Sequence, residues 1–317
     1  MTAALAEAVL TPEDPRFPRS LLQVRPQPER LFARGNLDLL SRPMVAVVGS
    51  RTPSRYGERT AYRAAHAFAR AGLVVVSGLA KGLDARAHRG ALDAGGQTVA
   101  VVGCGLDVPY PRSNADLREA IPRSGLLLSE YAALMPPLHY NFPARNRLIA
   151  ALGRCLLVVE GKVKGGTSNT VEWTLGLGKT VFAVPGRVDE LEAAGPNLLI
   201  ANGARPFLSP ADVLAEFDMP SWAEADGWFA VDAPPSRAAR SGTARGGLEA
   251  PDPEATRAEL TGAEARLYDL ISPEPEHVDR LAARVNLEPG LVLAALSALE
   301  LQGLITQLPG KHFALAS

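Results

Sequence analysis

Gly49-Ser50-Arg51 closes an apolar run, Val45 to Val48, and a helix-like pattern begins at Arg55. A strand, a glycine turn and a helix start make an anion site. The first helical N–H groups lack partners there, and they carry the positive end of the helix dipole. The Ser50 hydroxyl and the Arg51 guanidinium add donors suited to phosphate. Three further loops repeat the theme. In SGLAKGLDARAH (77–88), Gly78 and Gly82 permit close backbone approach, Lys81 brings a charge, and Asp84 is placed to cap the following helix. His88 has no nucleophile or metal partner near it in sequence. In HYNFPARNRLIA (139–150), Arg145, Asn146 and Arg147 sit just inside a helix start, beside Tyr140 and Phe142. Cations at that end oppose the dipole. Cations interleaved with aromatics suit a single nucleic-acid strand, which offers phosphates and unpaired bases. In EGKVKGGTSNTVEW (160–173), Lys162, Lys164, Gly165, Gly166 and Thr167 precede another helix start and repeat the cradle.

Familiar nucleotide motifs fail on their spacing. A G-x-G-x-x-G fingerprint after the first run would need glycines where Arg51 and Ser54 stand. GCGLD (103–107) is followed by Pro109 and Pro111, which forbid an immediate helix. GLGKT (176–180) has Trp173 where a P-loop needs its first glycine, and a strand follows it. Cys104 and Cys155 follow no metal or disulfide spacing and adjoin apolar runs, so they read as buried free thiols. The residues therefore point to binding, with no catalytic group, metal or cofactor expected.

The elements that must position these loops are legible in the periodicity. Strand-like runs at 44–48, 73–77, 97–102, 126–129, 155–159 and 180–184 alternate with helix-like runs at 55–71, 84–94, 113–121, 144–152 and 167–177. Short continuous β-type runs between helices imply a mostly parallel sheet with helices on both faces, an α/β Rossmann-like domain over 44–217. All four loops leave C-terminal strand ends, so they should converge on one rim. Residues 1–43, rich in proline with a few apolar anchors, read as an N-terminal extension packed on this core. Residues 218–260, rich in Ala, Pro, Gly and Ser, read as a flexible linker. Residues 261–317 read as three helices and a hairpin turning at Pro309-Gly310, a small winged-helix domain.

The chain has 317 residues, 47% of them hydrophobic, and a net charge of −1, so any polyanion must be met by local clustering. From Arg42 to Leu92 there are nine basic and two acidic residues, a net +7; from Pro210 to Leu260 there are four basic and ten acidic, a net −6. A basic stretch of this kind attracts a polyanion with salt-dependent affinity. The third helix of the C-terminal domain carries no basic residue, which disfavours DNA reading and favours a protein-contact or auxiliary role. No apolar run approaches a membrane span and the first residues lack a basic start, so a cytoplasmic protein without membrane contact is expected.

Together the motifs resemble the DNA processing protein A (DprA/Smf) family. The matching strings are AVVGSR with YG (46–51, 56–57), SGLAKGLDARAH (77–88), VAVVGCGLDVPYPRSN (99–114), FPARNRLIA (142–150), VFAVPG (181–186) and GPNLLIANGA (195–204), which follow the family's order. The resemblance implies a Rossmann-like domain that binds single-stranded DNA in a basic pocket at the strand ends. It implies a homodimer that loads RecA during natural transformation, with single-strand binding protein as a further partner, and no catalysis. Carried over by position, Gly49, Ser50 and Arg51 would hold phosphate and Lys81 matches a basic position in the second loop; beside this, the residues themselves lead us to expect bases to stack or insert near Phe142. Arg145, Asn146 and Arg147 match the family's F-P-x-R-N-R stretch. Gly166 and Thr170, with Lys164 adjacent, match its Ser-Gly-Ser-rich loop, although this chain reads Lys-Gly-Gly-Thr-Ser-Asn-Thr there. Many members carry an upstream helical domain, for which the stretch before Met44 is too short.

An enzyme class competes. Nucleotide phosphoribohydrolases of the lysine-decarboxylase-like fold carry G-G-x-G-T-x-x-E, and Gly165, Gly166 and Glu172 fall on that pattern. Ser168 and Asn169 replace its third Gly and its Thr, two misses in the phosphate cradle. A protein-only scaffold is a third reading, and it would leave the basic rim idle.

Overall fold

The computed structural model describes residues 7–219, 228, 262–272, 276–285, 287, 289–301, 304–308 and 312–315. The chain forms two compact units, Met1–Pro234 and Pro235–Ser317. The first is built on a nine-stranded sheet: β1 (Glu7–Leu10), β2 (Leu31–Gly35), β3 (Met44–Val48), β4 (Val74–Ser77), β5 (Thr98–Val101), β6 (Leu126–Ser129), β7 (Cys155–Val158), β8 (Val181–Ala183) and β9 (Arg205–Pro206). Their spatial order is β1-β2-β6-β5-β4-β3-β7-β8-β9. The seven strands from β6 to β9 pair in parallel. The helices are α1 (Arg55–Arg70), α2 (Leu83–Asp93), α3 (Ala115–Ser124), α4 (Asn141–Leu152), α5 (Gly166–Gly176), α6 (Ala194–Ala201) and α7 (Pro210–Leu214).

β3 shows why the strand-like runs are continuously apolar. Met44, Ala46 and Val48 enter one core with α4 and α5, while Val45 and Val47 enter the other with α1 and α2. Alternate side chains leave opposite faces, and both faces are covered, so no position is polar. Alanines 61, 64 and 65 let α1 approach α2 closely, where a Cβ on Gly90 would lie 2.2 Å from the Tyr62 carbonyl oxygen.

The N-terminal residues correct the expectation of an extension merely packed on the core. β2 pairs antiparallel with β6, and β1 antiparallel with β2, so they extend the sheet itself. Both strands are short and separated by a proline-rich stretch, which masks their period. The expected linker falls almost wholly outside the described residues. Trp228 within it is docked: its Nε1 donates to the Leu208 carbonyl at 2.8 Å, and its ring packs on Phe207 and under the Arg63 guanidinium.

The second unit holds α8 (Ala263–Tyr268), α9 (Val278–Val285) and α10 (Pro289–Leu301). They pack with a three-stranded antiparallel sheet, ordered β10 (Glu276–His277), β12 (His312–Leu315), β11 (Ile305–Leu308). Leu267, Leu281, Val292, Leu296 and Phe313 form its core. This is a winged helix, with β10 a strand beyond the expected hairpin. The turn at Pro309-Gly310 lies outside the described residues.

In the first unit the chain steps from β3 outward through β4, β5 and β6, then crosses to β7, β8 and β9 on the other side. Loops leaving β3 and β7 therefore diverge at their C-terminal ends and open a crevice there. Lys179, from the glycine-lysine string that failed as a P-loop, anchors the helix that faces this crevice. Its Nζ donates to the carbonyls of Ala150, Ala151 and Gly153 at 3.0, 2.6 and 2.7 Å, capping the C-terminus of α4. Lys179→Met should cost about 2 kcal/mol, the scale of hydrogen bonds to a charged group. The loss is read as a lower urea midpoint with an unchanged circular-dichroism spectrum.

Candidate functional site

The four loops do converge. Residues of all four line one open pocket of about 800 Å³ at the C-terminal strand ends. Gly49, Ser50 and Arg51 enter from β3, Ala80 and Asp84 from the loop after β4, Phe142, Arg145 and Asn146 from α4, and Lys162, Gly166 and Thr170 from the loop after β7 and from α5. A second pocket of about 530 Å³ adjoins it and shares Arg51, Tyr110, Phe142 and Arg145. Lys81 lines this second pocket; Lys164 is exposed and lines neither.

The loop after β4 is held at every backbone N–H and carbonyl of Gly78, Leu79 and Ala80. Gly78 N–H and Ala80 N–H donate to Asp84 Oδ2 at 3.1 and 3.3 Å. The Gly78 carbonyl accepts from Arg145 at 2.7 Å. Asn114 Nδ2 donates to the carbonyls of Leu79 and Ala80, both at 3.0 Å. Leu79 N–H donates to His88 Nε2 at 3.3 Å. Leu79 sits in the left-handed region at φ 55°, a strained conformation that the surrounding bonds sustain. Gly82, at φ 80°, passes so close to the first loop that a Cβ would lie 2.4 Å from the Ser50 carbonyl oxygen. Asp84 is thus a clamp of its own loop, where a helix cap was expected. The helix starts one residue earlier, with Gly82 as its cap residue.

His88 also has a defined role. Thr98 Oγ1 donates to the Val75 carbonyl, so the Thr98 oxygen is left to accept from His88 Nδ1 at 2.7 Å. The Leu79 N–H requires Nε2 as acceptor. Both contacts select the neutral Nδ1–H tautomer. Burial, with Arg145 adding repulsion, lowers the His88 pKa to about 3.

Arg145 and Arg147 depart from the expectation of two phosphate-facing arginines. Arg145 is 3% exposed. Its Nη1 donates to the carbonyls of Gly78 and Val101, at the ends of β4 and β5, and Asp84 lies beside it. Burial raises the Asp84 pKa against the pull of Arg145, and burial lowers the pKa of Arg145. Arg147 forms a two-pronged pair with Glu130, both contacts at 2.6 Å, and its Nε donates to the Pro26 carbonyl at 2.9 Å. It lines neither pocket, so its guanidinium is removed from the candidate ligand contacts. Carbonyl groups and a carboxylate distant in sequence claim both side chains, and local spacing carries no sign of them.

The first loop brings a second correction. The N–H groups of Ser54, the cap residue of α1, and of Gly57, in its first turn, are already paired within the protein. Ser54 N–H donates to Glu160 Oε2 at 2.9 Å, and the Ser54 hydroxyl contacts Glu160 Oε1. Gly57 N–H donates to Ser54 Oγ at 3.1 Å, Thr52 N–H to Ser50 Oγ at 3.1 Å, and Ser50 N–H to the Glu160 carbonyl at 2.8 Å. The Ser50 hydroxyl hydrogen and the Arg51 side chain remain. Arg51 is exposed, has no carboxylate partner among the described residues, and lies over the Phe142 ring at 5.6 Å. Phe142 in turn packs on Tyr110 at 5.6 Å, which makes a cation–aromatic ledge between the two pockets.

The start of α5 is the open one. It has no side-chain cap, and Gly165, Gly166, Thr167 and Thr170 line the pocket. Asn146 Nδ2 reaches the Gly166 carbonyl at 3.3 Å and ties α4 to it. Lys162 stands beside it, 3.9 Å from Glu192. An uncapped helix start, Lys162 and Arg51 together can take an anion, while the ledge can take a flat ring. Tyr110 and Glu160 were missed as functional residues. VPYPRSN signalled Tyr110 only as an aromatic in a loop, and no local pattern signals Glu160. Glu172, which the hydrolase pattern needs at the phosphate cradle, is exposed and lines neither pocket. The described residues contain no cluster of three His, Cys, Asp or Glu side chains able to hold a metal. Both cysteines are buried free thiols.

Comparison with known proteins places these features. Residues 8–218 match the family model described as DNA recombination-mediator protein A, and residues 251–311 match a DprA winged helix domain. The chain is 45% identical over 205 residues to DNA processing protein DprA of Streptococcus pneumoniae, covering 65% of this chain and 72% of that one. It is 35% identical over 321 aligned positions to Protein Smf of Synechocystis sp., covering 96% and 79%. Among solved structures it resembles DNA processing protein A from Helicobacter pylori, whose single-stranded DNA binding mode has been described. The TM-score is 0.62 at 28% identity, covering 69% of this chain and all of that one.

The His88 environment generates a pH prediction. The unfolded imidazole titrates near 6.5 and the folded one near 3, so between these values the unfolded chain binds the extra proton. Stability from this group is complete above pH 6.5 and is lost as pH falls toward 3, with a limiting slope of about 1.4 kcal/mol per pH unit. His88→Asn should flatten the fall of the urea midpoint between about pH 6 and about pH 4. Parallel curves for the two proteins would exclude this role.

Proposed function

The chain belongs to the DNA recombination-mediator protein A family, and we propose that it binds single-stranded DNA at the converged loops. The observation that carries this reading is the pairing of free donors with an aromatic ledge in one open crevice. Arg51, Lys162 and the uncapped start of α5 supply charge for consecutive phosphates. Phe142 and Tyr110 supply flat partners for unpaired bases, which a duplex does not offer. Gly49 and Gly166 bring backbone close to the strand. Ser50 donates its hydroxyl, Asn146 and Thr170 shape the pocket wall, and Lys81 and Lys164 extend the positive field. Arg145 serves from beneath, by holding the loops.

Binding of this kind has little sequence preference and falls steeply with salt. In this reading the protein acts by binding, and catalyses no reaction of its own. It delivers RecA onto incoming single strands during natural transformation, displacing single-strand binding protein, and works as a homodimer in the cytoplasm. The family description as a recombination mediator supports the RecA step. Among the described residues no helix is long and apolar enough to cross a membrane. The winged helix is assigned to protein contact, since its third helix carries no basic residue.

Fluorescence anisotropy of labelled oligo-dT at two salt concentrations, with duplex and AMP as competitors, tests the reading. Tight, salt-sensitive binding that neither competitor displaces is expected; effective displacement by AMP would overturn it. Arg51→Ala should weaken binding and lower the salt slope by about 1. Phe142→Ala should cost about 1–3 kcal/mol of binding with the slope kept, the scale of one base–aromatic stack. RecA ATPase on strands coated with single-strand binding protein should lose its lag when the chain is added. An unchanged lag would remove the mediator step and leave strand binding standing.

A further inference from the structure

The first strand–turn–helix unit of a doubly wound sheet is the usual seat of a phosphate, because the helix start presents unpaired N–H groups. In this chain that seat is taken. Glu160, at the end of the β7 run, is 3% exposed and turns its carboxylate onto the start of α1. Oε2 accepts from Ser54 N–H at 2.9 Å and Oε1 contacts the Ser54 hydroxyl. The fit leaves no space for a side chain beneath it: a Cβ on Gly57 would lie 2.3 Å from both Glu160 Cδ and Oε2. The Glu160 backbone carbonyl also accepts from Ser50 N–H at 2.8 Å, so one residue holds both ends of the 50–54 loop.

We propose that Glu160 is a built-in anion that fills the phosphate seat of α1 and so determines specificity: it denies that seat to mononucleotides and leaves the start of α5 as the helix N-terminus open to external phosphate, with Arg51 reaching over from the first loop. A carboxylate and a phosphate need the same donors and repel each other, so they cannot share the seat. Its volume and charge both act. The two parallel helix starts, α1 closed and α5 open, turn a nucleotide-type crevice into one entered by a strand from one side. The consequence for strand over mononucleotide rests on the proposed function; the occupancy of the seat does not.

The test is anion rescue in the full chain, read without DNA. Glu160→Ala should lower the melting temperature in chloride by several degrees. About 20 mM inorganic phosphate at constant ionic strength should restore at least half of that loss by binding the vacated seat, while moving the wild-type value little. If Glu160→Ala does not fold, Glu160→Ser takes its place: the short uncharged side chain also vacates the seat, and the same selective rescue is expected. Calorimetry with AMP should detect binding to the variant at least about ten-fold tighter than to the wild type. Equal phosphate shifts in wild type and variant, or equal AMP affinities, would overturn the proposal. Rescue in a protein that fails to bind oligo-dT would instead overturn the strand-binding reading and leave the Glu160 assignment intact.

Discussion

The site depends on one buried guanidinium. Where β4 and β5 end, their last carbonyls lose the sheet's ladder and would face an apolar interior or the crevice unpaired. Arg145 reaches in from α4 and takes the carbonyls of Gly78 and Val101, with the Asp84 carboxylate beside it. A charge removed from water to this extent is tolerated only with such partners. Two strand ends and a helix on the opposite face are thereby locked into one geometry. The two pockets share Arg145 because it lies where these elements meet.

Around that lock the loop after β4 is rigid before any ligand arrives. Asp84, Asn114 and His88 engage its backbone groups, and the left-handed Leu79 is held against its own preference. A crevice arranged in this way loses little conformational freedom on binding, which favours affinity without added contacts. Lys179 extends the same economy to α4, whose far end would otherwise fray.

The cations divide by what already holds them. Arg145, Arg147 and Lys179 are committed to carbonyls or to Glu130 and build the fold. Arg51, Lys81 and Lys164 are exposed at or near the rim, with Lys162 only loosely paired to Glu192. The same division separates the helix starts, since the Glu160 carboxylate occupies that of α1 while that of α5 is open. Counting basic residues along the chain locates the positive region but does not separate ligand contacts from internal ties.

The sequence alone determined the scaffold. Short continuous apolar runs between helix-period segments set six of the parallel strands and five helices to within about three residues, because that signal is local and repeats. The same reasoning set the four loops on one rim, since parallel strands all end at the same side of the sheet. The tertiary structure alone decided which side chains of those loops are free. Arg145 meets Gly78 from 67 residues away, and Glu160 meets Ser54 from 106. Arg145 and Arg147 have the same residue type and equivalent neighbours as a surface cation would, so only their distant partners distinguish tie from contact. The N-terminal strands were hidden for a related reason: they are short, and their place is set by the pairing of β2 with the distant β6 and of β1 with β2. Local periodicity specifies elements, whereas burial and charge pairing are properties of the assembled fold.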